Sequence, residues 1–65
     1  MKVRIEMRDS DSGESKVKTR TVKDPAEVLL WLNIEMFRVG RRNYTVNLKK
    51  VYDIDQDVLI VRGAS

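Results

Sequence analysis

Three groups of side chains in this sequence are of types able to do chemistry, and all are charged. They are the carboxylates Asp53, Asp55 and Asp57, the carboxylates Asp9, Asp11 and Glu14, and 13 lysines and arginines. Histidine and cysteine are absent. The usual proton carrier near neutrality, the strongest side-chain nucleophile and any thiolate metal ligand are therefore missing. A carboxylate pair can still do acid–base work, and the Asp-x-Asp-x-Asp run at 53–57 has the opening spacing of a calcium loop. However, Val58 stands where such a loop needs its turn glycine, and Ala64 where it needs a bidentate glutamate. The run reads as a solvated turn between strands. The segment at 9–14, interleaved with Ser10, Ser12 and Ser15, reads as a polar hairpin tip, and no phosphate-cradling pattern surrounds its single Gly13. No catalytic residue, cofactor or metal is expected, and the chain is expected not to be an enzyme.

The bases carry more information. The net charge is +3, but the acids gather at 9–14 and 53–57 while the bases occupy the segments between. If Val3, Ile5 and Met7 face inward together with Val17, Thr19 and Thr21, the other face of an N-terminal hairpin carries Lys2, Arg4, Arg8, Lys16, Lys18 and Arg20. Arg38, Arg41 and Arg42 follow one another closely, as do Lys49 and Lys50. Contact with phosphates is one use of such a surface, with Arg4, Lys18, Arg20, Arg41, Arg42, Lys49 and Lys50 as candidates. A solvated face that protects a sheet edge is the other. No nucleic-acid motif or aromatic stacking platform is present.

The elements that must position these groups follow from the hydrophobic period. Strict alternation over 2–8 predicts a half-buried strand, and 16–23, rich in Val, Thr and Lys, predicts a second. Asp24, Pro25 and Glu27 supply an N-cap, a first-turn proline and a capping-box acid. A helix is expected from there to about Val39, with Gly40 as its C-terminal cap. Alternation resumes over 43–51, with a bulge near Lys49 and Lys50. A turn at 53–57 precedes the apolar run 58–61, which suits a central strand. Residues 62–65 read as a frayed tail.

The expected fold is α+β in the order ββαββ, a single domain over 1–65. Its four strands form a mostly antiparallel sheet with one α-helix packed on one face. This layout resembles the β-grasp fold, and the likeness implies architecture alone. The ending 58–64 resembles a ubiquitin-type tail, but Ala64 replaces a required glycine, so no conjugation chemistry is implied.

With 65 residues, the chain buries only about 60% of the surface that its unfolded form exposes. Without disulfides, self-association or a partner protein can supply the missing stabilisation. The helix points the same way. Val28, Leu29, Leu32, Met36 and Val39 form one apolar stripe, directed at the sheet. Leu30, Ile34 and Phe37, flanked by Trp31, form a second on nearly the opposite side. One sheet cannot cover both. Leu30, Trp31, Ile34 and Phe37 are therefore the expected protein interface, in a homodimer or against another protein. A small protein-binding module, of the kind that serves as a regulator or inhibitor, is the expected function, and nucleic-acid binding the alternative. The alternating charged N-terminus reads as a strand and not as a signal peptide, and no apolar run is long enough to span a membrane as a helix. A cytoplasmic location is expected.

Overall fold

The computed structural model describes all 65 residues. The expected first strand forms as β1, Lys2–Arg8, and pairs antiparallel with β2, Ser15–Thr21. The helix start also forms as expected. Asp24 Oδ1 accepts the Ala26 amide at 3.0 Å, and Pro25 opens α1, Pro25–Asn33.

The helix ends six residues before the expected Val39. The Asn33 side-chain amide bends back to donate to the Leu29 carbonyl at 2.9 Å, and Ile34 is already extended. Residues expected to be helical instead form β3, Met36–Val39, paired antiparallel with β4, Arg42–Val46. Gly40 is the first residue of their two-residue turn and not a helix cap. Burial explains the switch: as a strand, this segment places Phe37 in the core, stacked on Tyr44 with ring centroids 5.2 Å apart. Opposite them lies Gly63. A Cβ there would stand 2.7 Å from the Phe37 ring, so only glycine leaves room.

The remaining strands are β5, Val51–Asp53, and β6, Val58–Ala64. The sheet therefore has six strands in the order β2-β1-β6-β4-β3, with β5 on the same side of β6 as β4. Strand β6 runs parallel to β1 over its whole length; β5 borders its first half and β4 its end. The expected frayed tail at 62–65 is instead ordered strand up to Ala64, and the Ser65 amide donates to the Arg8 carbonyl at 3.0 Å. The four-stranded, mostly antiparallel layout, and the β-grasp likeness drawn from it, are thus replaced by a curled mixed sheet with parallel strands at its centre.

One face of this sheet, here the inner face, carries the core: Val3, Ile5 and Met7 from β1, Leu59 and Val61 from β6, Tyr44 and Val46 from β4, Phe37 from β3, and Val22. The helix lies against this core only through half-buried Val28 and Trp31, with Ile34 just after it, and has no fully buried residue. It is an appendage to the inner face, not the layer expected to cover it. No helix is long and apolar enough to cross a membrane.

Candidate functional site

The spacing Val28–Trp31–Ile34 decides which side of α1 faces the core, and it nearly inverts the expected assignment. Trp31 and Ile34, expected at an interface, pack against the protein's own core, and Phe37 is buried on β3. Of the expected interface residues, Leu30 alone is fully exposed. Leu29, Leu32 and Met36, expected against the sheet, are instead exposed. The resulting patch is Leu29 (61% exposed), Leu30 (58%) and Leu32 (45%); Met36, exposed to 58%, starts β3 opposite Thr45 and lies on the other, outer face of the sheet. Sequence periodicity had the right surplus of apolar residues but assumed a helix through 39. With only nine helical residues, the bulk of Trp31 sets the rotation. The segment from Val28 to Ile34 contains no charged side chain.

The main polar cluster lies where the β1–β2 loop meets β4. Asp9 is buried and accepts the Tyr44 hydroxyl at 2.6 Å. Its other oxygen lies 3.9 Å from both Lys16 Nζ and Arg42 Nη1. Arg42 also grips exposed Asp11 with both terminal nitrogens, at 2.6 and 3.1 Å. This fork holds the Asp11 carboxyl below its ordinary range and raises Arg42. Tyr44 is pushed up, first by its bond to Asp9 and then by burial. A phenol moved away from neutrality is a poor proton carrier there, and every cluster member already has a partner. The arrangement ties the loop, whose Asp9 amide also bonds the Glu14 carbonyl at 2.9 Å, to β4. The expected free hairpin tip is therefore anchored. Asp9 was read as part of a polar tip and its burial was not foreseen, because the residues beside it are polar and its hydrogen-bond partner Tyr44 is 35 residues away.

The acids at 53–57 do not converge. Asp53 Oδ1 accepts the amides of Asp55 and Gln56 at 3.0 and 3.2 Å, closing the turn. Asp57 accepts the Tyr52 hydroxyl and lies 3.4 Å from the N-terminal amine. The Tyr52 bond, then the amine, holds the Asp57 carboxyl below its ordinary range, and the same bond raises Tyr52.

The bases are divided among several surfaces. The register pairs Val3 with Arg20, Ile5 with Lys18 and Met7 with Lys16. These three β2 bases therefore share the inner face, while Val17, Thr19 and Thr21 lie on the outer face beside Lys2, Arg4 and Glu6. The expected continuous basic hairpin face does not exist, because the pairing is one residue out of step with the one assumed. Arg20 is engaged by Glu27 at 2.5 Å, Arg4 by Glu6 at 3.3 Å, and Arg42 by Asp11. Arg41 sits in the β3–β4 turn, and Lys49 and Lys50 lie between β4 and β5. The seven candidate phosphate contacts do not form one surface. Compared with protein-family models, curated proteins and solved structures, the chain matches none.

Proposed function

We propose that this chain is a non-enzymatic interaction module that associates through the outward side of α1, with a second copy of itself as occupant. The observation that carries the proposal is the exposure of Leu29, Leu30 and Leu32 on one short helix, an apolar concentration of the kind that marks contact sites. Surface area supports it. The chain exposes 4897 Å², whereas a folded monomer of its mass exposes about 4,300 Å². The excess, about 600 Å², approaches the roughly 800 Å² that each partner buries in a standard interface. Charge favours a second copy. A twofold axis through residues 28–34 brings no like charges together, since that segment carries none. Pairing two copies along β2 would instead oppose Lys16, Lys18 and Arg20 with themselves.

Light scattering over a concentration series tests this. The wild type should pass from monomer to dimer. Leu30→Gln/Leu32→Gln should remain monomeric, with its thermal midpoint little changed at dilutions where the wild type is itself monomeric. A wild type that stays monomeric to millimolar concentration refutes the proposal.

A further inference from the structure

The register that breaks up the expected basic hairpin face builds a different one. On the outer face of the sheet, opposite the helix, β1 presents Lys2, Arg4, Glu6 and Arg8, and β6 presents Val58, Ile60, Arg62 and Ala64 beside them. Glu6 Oε1 holds Arg62 Nε at 2.8 Å, and its other oxygen holds Arg4 Nε at 3.3 Å. Each of these contacts uses Nε, so the terminal nitrogens of both arginines remain as donors, while Lys2 and Arg8 have no ion-pair partner.

At one end the sheet curls into an open groove of about 630 Å³. Its floor is Ala64, whose small side chain leaves space between Arg8 on β1 and Thr45 on β4. Arg62, Ser15 and Asn47 also border it. Along β2 the outward side chains are Ser15, Val17, Thr19 and Thr21, so three hydroxyls share this file with exposed Val17. Four cations on β1 and β6 against the carboxylates Glu6 and Asp53, accompanied by hydroxyl donors and with Arg38 farther out on β3, suit an anion with repeated charges better than a single one. No aromatic side chain lies on this face, so nothing is provided for stacking or reading bases.

We propose that the outer sheet face binds the phosphodiester backbone of nucleic acid without sequence preference, through Lys2, Arg4, Arg8 and Arg62. Lys and Arg neutralise the phosphates and Ser/Thr hydroxyls donate to their oxygens. This face lies on the side of the sheet away from α1, so the contact does not depend on the proposed dimer.

The test is fluorescence anisotropy with a labelled oligothymidylate. With four phosphate contacts, affinity should fall about 50-fold between 50 and 200 mM salt. Arg8→Gln and Arg62→Gln should each weaken binding about five- to tenfold at the lower salt. Arg8 carries no ion pair whose loss would complicate folding. Lys18→Gln, on the inner face and away from the groove, should leave affinity within about twofold. Leu30→Gln/Leu32→Gln should bind normally, which separates this proposal from the dimer. The proposal is overturned if the wild type does not bind at 50 mM salt, or if Lys18→Gln weakens binding as much as Arg8→Gln. It is also overturned if inorganic phosphate competes as well as unlabelled oligonucleotide at equal phosphate concentration, since the face would then be a simple anion site.

Discussion

The corner around Asp9 and the outward side of α1 solve opposite problems. At the corner, polar groups from the β1–β2 loop, β2 and β4 meet in a small space, and each finds a partner: Tyr44 and Asp9, Arg42 and Asp11, with Lys16 completing the charge balance. Burial of Asp9 is tolerated because its hydrogen bond is made within the chain. On the helix, the surplus is apolar and the chain offers no cover for it. Leu29, Leu30 and Leu32 remain in solvent while Trp31 and Ile34 take the limited space over the core. Internal cross-linking thus specifies the corner, whereas the helix is left with surface for another molecule.

The largest contrast should come from removing one group on each side. Asp9→Ala deprives the buried Tyr44 hydroxyl of its acceptor and removes a carboxylate facing Arg42 and Lys16. The cost should be about 1–3 kcal/mol in urea unfolding, whereas exposed leucine changes in the monomer should stay within about 0.5 kcal/mol. An Asp9→Ala protein as stable as the wild type would show that the corner is a passive contact and would remove the distinction.

The same contrast accounts for what the sequence revealed. Local signals were readable: the alternation of β1, the capping of α1 by Asp24 and Pro25, and the turn at 53–57 all depend on neighbours in the chain. What escaped depends on distant residues. The segment 36–39 becomes a strand because Phe37 fits between Tyr44 and Gly63, and neither apolar period nor propensity encodes that fit. The faces of the basic hairpin depend on a register set by the β1–β2 loop, where a slip of one residue reverses every side chain. The excess of apolar helix surface was legible, but its location was not, because helix rotation follows which large side chain reaches the core.

A smaller effect should appear in the turn that presents the corner's arginine. Gly40 and Arg41 connect β3 and β4 with φ of 61° and 114°. Two positive values suit a two-residue hairpin turn, but the second is a region L-residues rarely adopt. Arg41 has no ion pair to offset that strain. Arg41→Gly should therefore raise stability by about 1 kcal/mol, the relieved strain exceeding the entropy added to the unfolded chain. Unchanged or lower stability in urea would mean that the arginine makes a compensating interaction in solution.

The smallest effect concerns acid. Asp11 is held below its unfolded value near 3.8 by Arg42, and Asp57 by Tyr52 and the N-terminal amine. A carboxyl depressed on folding contributes stability that is fully present above its unfolded value and is lost as pH falls through the folded one. Tyr44 and Tyr52 are raised above 10.0, so their contribution is present below that pH and lost as the solution becomes more alkaline. Stability should therefore be level between these limits and decline on both sides. Both carboxylates are solvent-exposed, so the acid decline should be shallow. Asp11→Asn should flatten part of the acid limb, measured as the urea midpoint at pH 3 against pH 7, and leave the alkaline limb unchanged. Leu30→Gln/Leu32→Gln, on a segment with nothing to titrate, should follow the wild-type profile at dilutions where both are monomeric. If Asp11→Asn kept the full acid limb, the Arg42 fork would contribute nothing in solution, and the corner would rest on the buried Asp9–Tyr44 pair alone.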